Sequence, residues 1–495
     1  VGLAAVNRGA GLGAEDFRLT CESGFGDGWN AYAHSMAWFE GRLYVGTTRA
    51  PMAAIKVHSP APDMKPWPVD CPPVPDMVDR RAEIWCYEPE ADRWERVFKA
   101  AYVPSRRGGQ TARFLSFRGM TVFQAPGDDK PCLYVSTWSP ALTFESPDIL
   151  RSEDGRTFEP VTRPPWDASV RTFRTLQVYQ GRVHTSPTGS NRGGVIDNSV
   201  GSETTIYACD DLRSGRWEPV CEEGFGDRRN VTVFEMCEFA GRLYAGTVNP
   251  FTGFELWRTE DPPHAPPYRW KRVLSGGAGR GPLNEIAGSL TVFNGALYVG
   301  TGIANGGYHR AFRLGPAPAE LLRVWPDDSW ELVMGQPRRT PQGLRNPLSG
   351  YSGGFDNFLN GYIWRMTVHD GWLYAGTFSW AMLLPYIRSN AAPVDVLAMF
   401  ERWGQETLVR RYGGCELWRS PDGIRWQAVT RSGFGNKYNW GVRTLQSTPH
   451  GLFVGTANPF GPTIALREGM DWSYIPNARG GCEVWLGAAA ASAAA

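Results

Sequence analysis

Three recurring patterns predict an all-β chain folded as a seven-bladed β-propeller of four-stranded antiparallel blades. The first is the run Gly-Arg-Leu-Tyr-Ala-Gly-Thr at 241–247, whose relatives begin at Leu43, Leu133, Val183, Leu243, Leu297, Leu373 and Leu452. A second pattern follows six of these as Glu83-Ile-Trp, Asp148-Ile-Leu, Thr205-Ile-Tyr, Glu255-Leu-Trp, Glu416-Leu-Trp and Glu483-Val-Trp, with a diverged copy at 320–324. The third is a set of runs centred on Trp94, Phe158, Trp217, Trp270, Trp330 and Trp426. Each run is short, aromatic or β-branched, and bounded by glycine or proline, which is the signature of a strand. One four-stranded sheet cannot bury both of its faces, so its repetition implies sheets packed around an axis.

The unit at 231–274 is the most legible, with strands expected at 231–239, 243–247, 255–258 and 268–274. The last unit lacks a fourth strand after Trp485. Residues 17–27 align with 217–227 and 426–436, so the N-terminal strand is predicted to complete the last blade and close the ring. Residues 1–487 then form a single propeller, overriding a length prior of about three domains, and the Ala-rich 488–495 reads as a solvated extension.

Strand parity places the long segments. Glu40-Gly41, Ala240-Gly241, Asn294-Gly295 and Asp370-Gly371 are tight hairpins on one face. Insertions 48–82, 188–204, 303–319, 378–414 and 457–481 fall on the other, as a loop-covered funnel. The first carries eight prolines between Pro51 and Pro75 and reads as a stiff extended loop. Val396, Met399, Phe400 and Trp403 have helical spacing, with Asn390 and Pro393 before them and Gly404 after. This single short helix is either a lid over the axis or a buttress of its own loop.

With 51 basic and 50 acidic residues the formal charge is +1, which gives no support to nucleic-acid or anionic-membrane binding. No window approaches 18 consecutive apolar residues. Nine cysteines with no CxxC read as reduced, buried thiols, pointing to a cytoplasmic location, while the Val1 start leaves a removed leader open.

Ser152-Glu-Asp-Gly-Arg-Thr-Phe158 and Ser420-Pro-Asp-Gly-Ile-Arg-Trp426 resemble the Asp box of the sialidase-type repeat, and 87–94 resembles a Kelch-type turn. The resemblance implies a propeller whose third and fourth strands are tied at their hairpin, and it implies no activity. Sialidases have six blades, against the seven counted here, and their tyrosine, glutamate and aspartate set is not placed on this sequence.

Polar residues on the innermost strands are His34, Arg113, Arg174, Glu235, Arg365 and Arg443. Arginines converging from separate blades suit a carboxylate-bearing ligand, because guanidinium binds carboxylate bidentately. Glu235 and His34 are then candidate acid and base, and His34, Glu235, Arg365 and Arg443 the candidate catalytic set. The plainer reading is an Arg–Glu pair in a water-filled channel. A catalytic residue should break the repeat, which adds Tyr32, Trp364, Trp380 and Trp440 as substrate-binding candidates beside Arg113 and Arg174. The recurring Gly-Phe-Gly-Asp/Asn turns with Asn30, Asn230 and Asn439 follow the repeat and read as turn-making. No histidine has metal-ligand spacing, and the glycines at 277–281 do not join a strand to a helix, so neither metal nor nucleotide cofactor is expected. The expected function is an enzyme acting on a small carboxylate-, sugar- or aromatic-containing substrate by acid-base or electrostatic catalysis, with hydrolase, lyase and group-transfer or cyclising chemistry all open. The alternative is a noncatalytic propeller that binds a protein or glycan through its loop face.

Overall fold

Antiparallel ladders of the expected order organise the chain. The computed structural model describes residues 9–58, 64–161, 166, 169–189, 204–260, 266–303, 316–387, 394–469 and 471–489. Strand Asn30–Phe39 pairs with Arg42–Arg49, then Glu83–Glu88, then Arg93–Lys99. Thr232–Phe239, Arg242–Val248, Leu256–Thr259 and Trp270–Leu274 repeat that order. So do Ser116–Phe123, Cys132–Trp138, Ile149–Ser152 and Glu159–Pro160, and the shorter Gln177–Tyr179, Arg182–Thr185, Tyr207–Cys209 and Glu218–Pro219. Ile286–Phe293 and Asn360–His369 each open a further set. The set opened by Gly441–Thr448 ends with Val484–Gly487 paired to Phe17–Leu19, in the register Phe17↔Gly487. The pairing of Phe17–Leu19 with Val484–Gly487 is therefore present, although the strand stops at Leu19 and the chain turns away at Ser23–Gly26, where Gly24 and Phe25 are left-handed. Single bridges such as Val248↔Ile286, Gly302↔Tyr362 and Tyr32↔Ala457 link successive sets.

The repeated turn explains the second sequence pattern. Phe25, Phe225, Phe355 and Phe434 all sit at φ of 56° or 57°, behind glycines that are also left-handed. That conformation is costly for a side-chain-bearing residue. Each ring stacks on the tryptophan of the adjoining triplet, at 4.8 Å for Phe25 on Trp85 and 4.5 Å for Phe355 on Trp418. Behind the stack, Asn230 Nδ2 donates to Gly224 O at 2.9 Å and to Glu255 Oε2 at 2.8 Å, and Trp257 Nε1 donates to the same carboxylate oxygen at 2.9 Å. Asn30 with Glu83 and Asn284 with Glu320 repeat the arrangement. Gly277 and Ala278 adopt the same left-handed pair, so the glycines at 277–281 are a diverged copy of this turn.

The opposite turns are equally local. Glu40, Gln180, Ala240, Asn294 and Asp370 have φ between 47° and 50°, each followed by a left-handed glycine, as a tight two-residue hairpin requires. In the hairpin at 152–157, Asp154 Oδ1 accepts from the amides of Arg156 and Thr157 at 2.8 and 2.7 Å, and Asp422 does the same for Ile424 and Arg425. A Cβ on Gly155 would lie 1.8 Å from the Tyr44 hydroxyl, and one on Gly423 equally close to that of Tyr298. Glycine at these sites lets neighbouring sets approach.

The insertions differ from expectation. Pro51–His58, read from sequence as extended, is an α-helix, because Pro51 opens it without losing a needed amide and Met52 and Ala53 bury against an apolar cluster. The helix expected from Val396 to Trp403 spans Val394–Trp403, and Gly404, at φ 74°, leads into a second helix, Gln405–Tyr412. The 457–481 insertion forms a hairpin, Thr463–Glu468 with Asp471–Pro476. These three insertions interlock: Val69 bridges Ile464, Met64 bridges Ile387, and the Tyr386 hydroxyl donates to Ala465 O at 2.9 Å. Trp67, Leu384, Val396, Leu408 and Phe460 make one buried cluster, which favours the buttress reading of the helix over a lid. Most of the 188–204 and 303–319 insertions, and 490–495, lie outside the described residues. Among the described residues no helix is long and apolar enough to cross a membrane.

Candidate functional site

Bulges in five of the inner strands bear on the aim of the site residues. The register shifts between Ala33 and Ser35, Phe117 and Gly119, Val233 and Glu235, Ile363 and Arg365, and Val442 and Thr444. The extra residues are His34, Arg118, Phe234, Trp364 and Arg443. A bulge leaves its residue outside the ladder and re-aims the side chain, and bulges concentrate beside functional sites. Of the extra residues, His34, with Arg443 behind it, and Arg118 line a cavity of about 210 Å³, whose polar lining also includes Arg174, Glu235, Arg365 and Thr444. Met36, Met120, Leu176, Met366 and Leu445, further along the same strands toward the hairpins, supply its apolar side.

Four guanidinium groups and one carboxylate dominate the electrostatics. Arg365 Nη1 donates to Glu235 Oε2 and its Nε donates to Arg443 O at 3.2 Å. Arg174 lies 3.6 Å over the Phe234 ring. Arg118 stacks on Trp138 at 4.9 Å and Arg443 on Trp364 at 5.1 Å. Nε and Nη1 of both Arg118 and Arg443 are buried without a hydrogen-bond partner among the described residues. Burial first, then mutual repulsion, pushes the pKa of Arg118 and Arg443 down, and burial does the same at Arg174. Guanidinium holds its proton regardless, so this crowding is felt as lost stability rather than as neutralisation.

His34 is committed to this cluster. Its Nε2 accepts from Arg443 Nη2, and since guanidinium has only donors, the proton of the neutral ring lies on Nδ1. That Nδ1 faces Thr48 Oγ1 at 2.5 Å and Ser116 Oγ at 3.1 Å. Burial, followed by the charges of Arg443, Arg118, Arg365 and Arg174, holds the His34 pKa well below the usual histidine range. Both ring nitrogens are thus engaged, which sets His34 to orient Arg443 rather than to exchange protons with a ligand.

The remaining sequence candidates divide. Arg113 is not among the cavity-lining residues: its guanidinium donates to Asp148 Oδ2 at 2.6 Å and Ser139 Oγ at 2.8 Å. Its place is taken by Arg118, which the sequence reading missed. Tyr32, Trp364 and Trp440 group on the insertion side of the cavity, with Tyr32 6.1 Å from Trp364 and 6.4 Å from Trp440. Trp440 also packs edge-on to Phe378 and Phe460, and Trp380 is buried in the insertion cluster. These two tryptophans are packing residues of the cap. Burial raises the Tyr32 pKa, so its hydroxyl is protonated.

No family model and no curated protein matches the chain. Solved structures do. A puromycin hydrolase S511A mutant complexed with PGG shares 11% identity at a TM-score of 0.45, covering 94% of this chain and 55% of that one. A puromycin-hydrolyzing peptidase of Mycobacterium tuberculosis gives 11% and 0.38, over 92% and 62%. A prolyl endopeptidase gives 8% and 0.45, over 93% and 50%. The chain thus spans little more than half the length of these proteins, and likeness at this level assigns it no activity.

Proposed function

We propose that the repeated sets form a seven-bladed propeller of the Asp-box type, and that the chain is an enzyme acting on a small organic acid held in the cavity. The observation that supports this reading best is the convergence of Arg118, Arg174 and Arg365 from separate repeats on one cavity, with Arg443 close behind and Glu235 as the single lining carboxylate among the described residues. Uncompensated buried cations are expensive, and a bound anion is what offsets them.

In this reading the acid group of the substrate lies against Arg118, Arg174 and Arg365. It competes with Glu235 for Arg365, and the released Glu235 carboxylate acts as the general base on the same molecule. Arg443, held by His34, adds positive field where negative charge develops. The Met and Leu side chains accept the apolar part of the substrate. The test is mass-spectrometric turnover of a panel of sugar acids, aromatic acids and aliphatic acids. Conversion by the wild type and its loss in Glu235→Gln, with binding retained, supports the enzyme. Binding without any conversion removes the catalytic claim and leaves a binding protein.

A further inference from the structure

The number of uncompensated charges in the cavity specifies its ligand further than "an acid". This inference rests on the reading of the cavity as an anion site. Glu235 is paired with Arg365. Arg118 and Arg443 are each at most 5% exposed, and neither has a carboxylate partner among the described residues. The imidazole of His34 takes an Arg443 N–H and Trp138 and Trp364 present ring faces, all neutral, while Arg174 and Arg365 add positive field at both and Glu235 offsets part of it at Arg443. A ring face or a neutral nitrogen stabilises a guanidinium without cancelling its charge. Arg118, on the lining of a cavity of about 210 Å³, and Arg443, behind the lining residue His34, therefore each keep a whole charge.

We propose that the cavity is built for a compact dianion, a phosphoryl group or a short dicarboxylate, in preference to a singly charged acid. One negative charge leaves a net repulsive cluster, whereas two offset the charges of Arg118 and Arg443, whether the ligand leaves the Glu235–Arg365 pair closed or displaces Glu235 from it. The cavity size suits a small group. A phosphoryl group and a dicarboxylate share this charge, and the binding arms below separate them.

The experiment is isothermal titration of the intact protein at pH 7.5 with inorganic phosphate, malonate, succinate and acetate, each at constant ionic strength. Phosphate or a dicarboxylate should bind at least tenfold more tightly than acetate, and the tighter of the two names the chemistry. Arg118→Gln and Arg443→Gln should each bring the dianion-to-acetate ratio close to one. Unchanged circular dichroism shows that these variants are folded, and a second pair, Arg118→Lys and Arg443→Lys, should keep most of the preference. Acetate binding as tightly as the dianions overturns this inference and leaves the anion site standing. No binding by any of the four overturns both.

Discussion

Arg365 on Asn360–His369 donates to Glu235 on Thr232–Phe239, an ion pair that spans the cavity between residues 130 positions apart in the chain. The Glu235 side chain is 12% exposed and that of Arg365 27%, so the pair is mostly shielded from water. Breaking one partner leaves the other charge poorly solvated. Glu235→Gln should lower unfolding free energy by about 1–3 kcal/mol, discounted for the partial exposure of Arg365. Urea denaturation measures this. A dianion at a hundred times its Kd should return about 2.7 kcal/mol to the variant.

Arg443 and His34 are a second coupled pair. Replacing Arg443 with Gln removes a cation in direct contact with Nε2, so the His34 pKa should rise while staying below that of an exposed histidine, because burial is the larger cause of its depression. Following the imidazole Cε1–H signal of His34 with pH reads this directly. An unchanged titration would show that Arg443 does not face the ring.

His184 supplies a pH dependence of stability. It is fully buried, its Nε2 meets the Tyr268 hydroxyl at 3.0 Å, and burial lowers its pKa from 6.5 to about 4. Above pH 6.5 both folded and unfolded chains are neutral at this residue and its contribution is complete. Between 6.5 and about 4 the unfolded chain takes up a proton that the folded chain refuses, so stability falls with pH by about 3 kcal/mol over that window. His184→Gln should flatten the part of the slope between pH 6.5 and 5, where carboxylates titrate little. An identical slope in the variant would assign the loss to other groups.

The repeated turn predicts a structural cost that is independent of the cavity. Asn230 donates to Gly224 O and Glu255, and accepts from Thr247 Oγ1 at 3.0 Å and Asn249 Nδ2 at 3.1 Å, all buried. Asn230→Ala should cost roughly 2–4 kcal/mol, since Glu255 and the Gly224 carbonyl lose a donor in a dry setting. Anion affinity should be unchanged. Thermal denaturation and titration of the same variant test both parts.

What the sequence made legible was local and repeated. The strands, the hairpin glycines and the pairing of Phe17–Leu19 with Val484–Gly487 all follow from short runs whose spacing recurs. The helix at Pro51–His58 was hidden because prolines crowd the residues after it, and it buries in a cluster that includes Phe378 and Phe460, which lie far away in the chain. Among the site residues, His34, Arg174, Glu235, Arg365 and Arg443 come together, while Arg113 stands in for Arg118. The signal for Arg118 was a spacing. His34 precedes Gly41 by seven positions, as Arg174 precedes Gly181 and Trp364 precedes Gly371. The longer turn after Phe123 breaks that interval, although Arg118-Gly-Met still matches Trp364-Arg-Met in its methionine. The engagement of both His34 nitrogens was not readable, because Thr48, Ser116 and Arg443 come from three different repeats.

The central claim is that the cavity holds an anion, and anomalous diffraction from crystals soaked in selenate tests it most directly. A selenium peak is expected in the cavity, placed so that the selenate oxygens accept hydrogen bonds from Arg118 and Arg365, and it is lost in Arg118→Gln crystals treated identically. An empty cavity with selenate bound only at the protein surface would contradict it.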